Sequence, residues 1–244
     1  MKSLYQKSEI WFAVAWIIAY CVLVSMGDNL SASIGMQKIV TLPILIVLSV
    51  MLFLFVRKNQ LLKKFGLCKS EIPASKMLFY MPLSALLTVN LWYGCSMSTS
   101  LFETVFYILS MLCVGFLEEV IFRGLLFEAM RKDSVKAAII VSSVTFGIGH
   151  IINLINGSGA ELLPNLLQVV YATAAGFMFV MIYYKSGSML TCIAAHGAFN
   201  ALDVFANEAN VTVEMQILSA CLLTAITGSY ALYLVLSIKR EKKE

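Results

Sequence analysis

Long apolar segments constrain this chain most, because they limit it to folds that a lipid bilayer can hold. We identify eight such segments, each near the length of about 20 residues that a helix needs to cross the hydrocarbon core. They are residues 10–26, 39–56, 77–93, 101–129, 136–155, 162–184, 188–206 and 214–237. The chain is 60% hydrophobic and 13% charged, whereas soluble chains are about 45–50% apolar and about 25% charged. The sequence therefore predicts an all-α, polytopic membrane helical bundle of about eight transmembrane helices, in one integral membrane domain over residues 1–244.

The basic residues predict the orientation of this bundle, because cytoplasmic loops carry an excess of Lys and Arg. With eight spans, both termini and the even-numbered loops share one side of the membrane. That side holds every Lys and Arg except Lys38, on the opposite side, and Arg123, inside a span. We expect a plasma membrane protein of a bacterium with both termini cytoplasmic. The net charge of +4 is then a topology signal, and we expect membrane lipid but no nucleic acid as a partner.

Three ionisable residues interrupt the fourth span, where a charge at the bilayer centre costs about 2.5–3.5 kcal/mol. They are Glu118, Glu119 and Arg123. Glu119 and Arg123 are four residues apart, so they lie one helical turn from each other and can form an ion pair. Glu118 is rotated by about 100° from Glu119 and has no oppositely charged partner at that spacing. The spacing therefore predicts a structural role for Glu119 and leaves Glu118 available for chemistry.

The two histidines of the chain also fall inside apolar spans. His150 ends the fifth span in the sequence Phe146-Gly147-Ile148-Gly149-His150, and His196 precedes Asn200 by one turn in the seventh. A rise of 1.5 Å per residue places Glu118, both histidines and Asn200 about 17–22 Å from the nearest cytoplasmic basic residue. Groups at similar depth on three helices can line one cavity. A lone buried histidine is more often a core residue, but two of them beside glycines favour a shared site.

This set of groups can hydrolyse an amide in two ways. Glu118 can act as a general base toward water, with His150 positioning that water and with His196 and Asn200 stabilising the oxyanion. Alternatively, Glu118, His150 and His196 can bind zinc, which activates the water. The HExxH pattern of many zinc proteases is absent. The six cysteines show no CxxC spacing, which indicates free thiols that pack in the bundle.

Three motifs of the chain resemble those of the CAAX protease and bacteriocin-processing (CPBP, Abi) family of intramembrane endopeptidases. They are Glu118-Glu119-xxx-Arg123, Phe146-xxx-His150 and His196-xxx-Asn200, in that order over about residues 100–205. The resemblance implies that Glu118 is the catalytic base and that His150, His196 and Asn200 complete the site. It implies supporting roles for Glu119, Arg123 and Phe146. It also implies a glutamate-activated water without a cofactor, with zinc as the alternative.

The resemblance leaves the substrate open. Members of that family trim prenylated C-terminal tails, or are linked to bacteriocin immunity and to peptide maturation. The short chain favours a membrane-associated peptide over a prenylated protein tail. The competing hypothesis is a non-catalytic immunity or scaffold protein, or a transporter, that uses the same polar layer for binding. The oligomeric state is left open.

Overall fold

A computed structural model shows a bundle of helices and describes residues 1–78, 80–156, 159–207, 209 and 211–241. Within the described residues, six helical segments are long and apolar enough to cross a membrane. The α-helices are α1 (Lys2–Lys7), α2 (Glu9–Ile34), α3 (Thr41–Lys58), α4 (Tyr80–Thr88), α5 (Leu101–Glu119), α6 (Glu128–Met130), α7 (Val135–Gly149), α8 (Leu162–Ser186), α9 (Leu190–Leu202) and α10 (Val213–Glu241). The predicted class, a helical membrane bundle, is confirmed.

Short segments of other helix types extend several of these helices. A π-helical segment, Val120–Phe127, joins α5 to α6 and makes one rod over Leu101–Met130. The 3-10 segments are Ala74–Lys76, Val89–Leu91, His150–Leu154 and Asp203–Phe205. The π-helical segment and His150–Leu154 both border the predicted site.

Two of the eight predicted spans are shorter in the structure than the sequence suggested. The third is an apolar helix over Met81–Leu91 and the seventh is one over Leu190–Phe205. Backbone hydrogen bonds join both ends of the seventh to neighbouring loops. Met189, just before α9, donates a hydrogen bond to the Gly66 carbonyl near one end of the bundle. Phe205, just after α9, accepts one from Ser96 near the other end. The number of membrane crossings and the side of the termini stay predictions.

The first span is longer than expected. Helix α2 continues to Ile34 and ends at Gly35, whose φ of 77° is the left-handed conformation that glycine adopts freely. Asp28 therefore lies in the helix and not in the loop that the sequence suggested. Its carboxylate accepts hydrogen bonds from Thr41 (2.7 Å) and Lys38 (2.9 Å), which tie the end of α2 to the start of α3.

The basic loops meet at one end of the bundle. The Lys64 ammonium lies 2.9 Å from Glu9, at the start of α2, and Lys132, just after α6, lies 2.9 Å from the same carboxylate. Burial lowers the pKa of Lys64, but its hydrogen bonds to Tyr5 and Glu9 outweigh burial, so this pKa is raised. Glu71 donates through its backbone to the Ser186 carbonyl at the end of α8. These contacts bring several of the basic loops together at one end of the bundle.

Glycines let the central helices approach closely. A methyl group on Gly115 of α5 would lie 2.6 Å from the Gly197 nitrogen of α9, which is closer than side chains pack. A methyl group on Gly147 of α7 would lie 2.9 Å from the Thr173 Cα of α8. The helices that carry the predicted site are therefore in backbone contact, as small residues allow in membrane bundles.

Candidate active site

The end of α5 places two carboxylates on different sides of the rod. Glu119 lies 3.1 Å from Arg123, between Oε1 and the guanidinium nitrogen Nη1, and both side chains are fully buried. The ion pair predicted from their spacing is confirmed. Arg123 lies in the π-helical segment, whose wider turn often marks functional sites in helices. Glu119 is therefore committed to neutralising a buried cation.

His196 of α9 is held by the same carboxylate. Its Nδ1 is 2.9 Å from Glu119 Oε1. Because an ionised carboxylate can only accept, Nδ1 carries a proton and donates it to this hydrogen bond. The other ring nitrogen, Nε2, lies 3.6 Å from Glu118 Oε2. Glu119 thus fixes which face of the imidazole is turned toward Glu118.

Glu118 has one oxygen occupied and one oxygen available. The Tyr20 hydroxyl of α2 donates a 2.7 Å hydrogen bond to Glu118 Oε1. Oε2 is buried and has no hydrogen-bond partner among the described residues. The side chain is 14% exposed, in contrast to the fully buried Glu119. The two adjacent carboxylates therefore differ as the sequence predicted: one is paired with arginine, and the other reaches a cavity.

His150 begins the 3-10 segment that follows α7. Its Nδ1 is 3.1 Å from the Phe146 carbonyl, which can only accept, so Nδ1 carries the proton of the neutral ring and Nε2 is an acceptor. Asn165 of α8 is buried and donates a 2.8 Å hydrogen bond to the His150 carbonyl. The end of α7 is therefore fixed both by its own turn and by the neighbouring helix.

The Phe146 ring contacts both the Arg123 guanidinium and the two imidazole rings. The Arg123 guanidinium carbon lies 4.3 Å from the centre of its ring, which suits a cation–π contact. Its ring also makes edge contacts with His150 at 5.3 Å and with His196 at 5.6 Å between ring centres. Phe179 of α8 stacks on the other side of His196 at 5.7 Å. Aromatic packing thus holds both imidazoles in place.

A cavity of about 720 Å³ brings the predicted groups together. Glu118, Phe146, His150 and Asn200 line it, together with Tyr20. His196 is absent from the described lining and lies behind Glu118, almost fully buried. The cavity continues to Lys38, Ser98 and Asp203, at the end of the bundle opposite the basic loops. A polar route thus connects Glu118 with that end of the molecule.

The described residues do not form the alternative zinc site. Among them, no group of three His, Cys, Asp or Glu side chains is arranged to hold a metal ion. Nδ1 of each histidine is engaged, one by Glu119 and one by the Phe146 carbonyl, so Nε2 is the nitrogen of each ring that a metal would have to use. The described donors are not grouped around one metal position, so the chemistry below is derived from the side chains alone, and zinc stays the alternative hypothesis.

Three residues of this site could not be identified from the sequence. Tyr20 and Phe179 sit in apolar spans that contain other aromatic residues, and neither belongs to a motif. Asn165 belongs to no motif either, and the structure gives its acceptor as the His150 carbonyl. A polar residue within an apolar span was a usable signal for Asn165, whereas nothing in the sequence distinguished Tyr20.

The region that carries the site matches a known family. Residues 99–202 match the model of a family described as type II CAAX prenyl endopeptidase Rce1-like. The resemblance to the CPBP family is confirmed over this region. All seven residues of the three motifs lie within the Rce1-like region, and Tyr20 lies outside it. No curated protein and no solved structure matches the chain.

The Rce1-like region supports a general activity. It indicates an intramembrane endopeptidase, which fits a peptide or protein substrate. The apolar helices agree with an integral membrane protein.

Proposed function

We propose that this protein is an intramembrane endopeptidase in which Glu118 activates a water molecule to attack a peptide bond. The observation that carries the proposal is that Glu118, which has one oxygen without a hydrogen-bond partner among the described residues, lines the same cavity as His150 and Asn200. A carboxylate with an unoccupied oxygen beside an acceptor nitrogen and a carboxamide can bind, deprotonate and direct a water.

The first step is proton transfer from water to Glu118 Oε2. Nε2 of His150, the unprotonated ring nitrogen, accepts the second hydrogen bond of the water and directs its lone pair toward the substrate carbonyl. The hydroxide oxygen bonds to the carbonyl carbon, and the carbonyl π electrons move to oxygen. Glu118 then delivers its proton to the leaving amine as the C–N bond breaks, so the carboxylate is regenerated.

Asn200 and His196 are assigned to stabilising the oxyanion that forms on the substrate carbonyl. The Asn200 carboxamide presents N–H donors, which stabilise negative charge where it develops. His196 donates from Nδ1 to Glu119, so Nε2 becomes a donor only when the ring carries both protons.

The substrate is proposed from the family and from the cavity. The family description names a CAAX prenyl endopeptidase, which makes a prenylated C-terminal tail one candidate. We favour a bacterial membrane-associated peptide, in peptide maturation or bacteriocin immunity. Its apolar part would lie in the bilayer, and its cleavable bond would reach the polar cavity. Assays of a farnesylated tail peptide, the same peptide without farnesyl, and an apolar signal-like peptide distinguish these classes.

The central test is the Glu118→Gln variant, which keeps the shape of the side chain and removes the base. We expect kcat/KM for peptide cleavage to fall by at least about 10²–10⁴-fold, the usual contribution of a general base. Mass spectrometry of peptides from cells with either protein would also identify the substrate. Glu214→Gln, an exposed residue at the start of α10, is the matched control and keeps full activity. Full activity of Glu118→Gln would refute the role of Glu118 as general base and would assign this residue a non-catalytic role.

Metal dependence is tested separately. We expect cleavage to persist after prolonged treatment with a strong chelator, because the described donors are not grouped around one metal position. Elemental analysis of the purified protein should show far less than one zinc per chain. Loss of activity on chelation, with recovery on zinc addition, would establish the zinc mechanism and overturn this prediction.

A further inference from the structure

Tyr20 is a hydrogen-bond donor to the catalytic carboxylate from a helix outside the Rce1-like region. Its hydroxyl lies 2.7 Å from Glu118 Oε1, and the two residues are 98 positions apart in the chain. The side chain is buried, yet it forms part of the cavity wall. Glu118 Oε2, in contrast, has no hydrogen-bond partner among the residues that the structure describes.

The position of the Tyr20 hydroxyl is fixed by contacts on both sides of it along α2. Toward the start of the helix, the Phe12 ring packs on Phe55 of α3 with 4.8 Å between centres. Toward its end, a methyl group on Gly27 would lie 3.1 Å from the Thr41 Cα, so α2 and α3 are in backbone contact there. The Thr41 hydroxyl also donates to Asp28. Helix α2 cannot rotate or slide without breaking one of these contacts.

We propose that Tyr20 is a positioning residue that determines which oxygen of Glu118 acts as the base. By occupying Oε1, the phenol leaves Oε2, which lies 3.6 Å from His196 Nε2, as the oxygen that can take the proton of the attacking water. This inference rests on the proposed function, since it assumes that Glu118 deprotonates water. It implies that the active site is completed by the N-terminal part of the chain and is not contained in residues 99–202.

The physical reason is the freedom of a glutamate side chain. Three rotatable bonds separate the Glu118 carboxylate from the backbone, and a reacting group must be held in a near-attack geometry to be effective. A hydrogen bond to Oε1 can persist in both halves of the reaction, because this oxygen is still an acceptor, although a weaker one, when Oε2 carries the proton. Tyr20 therefore holds the carboxylate without competing for the proton it transfers.

The experiment compares Tyr20→Phe with the wild-type full-length protein in lipid nanodiscs. The concentration of folded sites is determined by titration with a tight-binding, non-cleavable peptide analogue, so that misfolded protein does not count as lost turnover. We expect kcat to fall by about 10- to 100-fold, as for a misplaced reacting group. We expect KM and the analogue affinity to stay within about threefold, because Tyr20 does not hold the substrate. Tyr93→Phe, which removes a tyrosine hydroxyl bonded to α10 outside the cavity, is the matched control and keeps its kcat.

Each outcome decides between specific alternatives. An unchanged kcat in Tyr20→Phe overturns the positioning role. A rise in KM with kcat unchanged also overturns it and assigns Tyr20 to substrate binding. Equal losses in Tyr20→Phe and Tyr93→Phe mean a general packing effect and overturn it as well. A wild-type protein without activity, or an active Glu118→Gln variant, shows instead that the proposed function has failed.

Discussion

At the scale of single residues, Glu119 holds two other side chains of the site, Arg123 and His196, through one of its oxygens. One of its oxygens lies within 3.1 Å of both the Arg123 guanidinium and the His196 ring. Arg123 also contacts the Phe146 ring and donates a 3.4 Å hydrogen bond to the Gly176 carbonyl. Removing the carboxylate would leave a cation buried without its counter-ion, which is among the most costly changes in a protein interior.

We expect Glu119→Gln to destabilise the protein by about 3–5 kcal/mol, the cost of breaking a buried ion pair from one side. The double variant Glu119→Gln, Arg123→Met should be more stable than Glu119→Gln alone, because the unpaired charge is gone. Denaturation in detergent, followed by loss of helical signal, measures both. A double variant less stable than either single variant would contradict this account of Arg123. Glu214→Gln again serves as the control.

At the scale of helices, close packing of α5 on α9 sets the distance between the carboxylates and His196. Gly115 precedes Glu118 by less than one turn, and Gly197 follows His196 directly, so the point of backbone contact is next to the site. The π-helical segment begins one residue after Glu119. The geometry of the site thus depends on the close packing of α5 on α9 and on the π-helical segment after Glu119. It does not depend on side-chain identity alone.

We expect Gly115→Ala to move α5 away from α9. The added methyl group would meet the Gly197 nitrogen at 2.6 Å and the Gly197 Cα at 2.7 Å, and neither backbone atom can rotate away. Overpacking of this kind costs about 1–3 kcal/mol, and we expect kcat to fall with the stability because the Glu119–His196 contact lengthens.

The matched control for this variant is Gly228→Ala in α10, where an added methyl group has no described atom within 4 Å. We expect unchanged activity and equal or higher stability, since alanine favours helix over glycine. Thermal unfolding in detergent and the peptide cleavage assay give both readouts. Wild-type stability in Gly115→Ala would show that the two helices can separate without cost.

At the scale of the whole molecule, the two ends of the bundle differ in charge and in access to the site. The basic loops gather where Lys64, Lys132 and Glu9 meet. The cavity extends to the other end, at Lys38 and Ser98. If the basic end is cytoplasmic, as the Lys and Arg distribution predicts, water reaches Glu118 from the opposite side of the membrane.

This orientation can be tested with single cysteines. Cys95 is exposed and free near the cavity end, and Lys69 is exposed near the basic end. In variants that keep only Cys95, or that carry Lys69→Cys as the sole cysteine, we expect a membrane-impermeant maleimide to label Cys95 in intact cells. Lys69→Cys should react only after the membrane is permeabilised. The opposite labelling pattern would reverse the predicted topology.

The sequence alone determined the membrane class, most of the spans and the Glu119–Arg123 pair. These features depend on apolar length and on helical periodicity, which are properties of neighbouring residues. Periodicity also separated the two adjacent glutamates, because consecutive residues of a helix point in different directions. The three motifs could be recognised for the same reason, because the residues of each motif lie within one or two helical turns of each other.

The tertiary structure decided the rest, because the deciding contacts join residues far apart in the chain. No local pattern connects Tyr20 to Glu118 or Phe179 to His196. The proton positions on the two histidines follow from acceptors on α5 and within α7. Helical periodicity tells which way a side chain points from its own axis. Only the packing of helices on one another determines what it meets there.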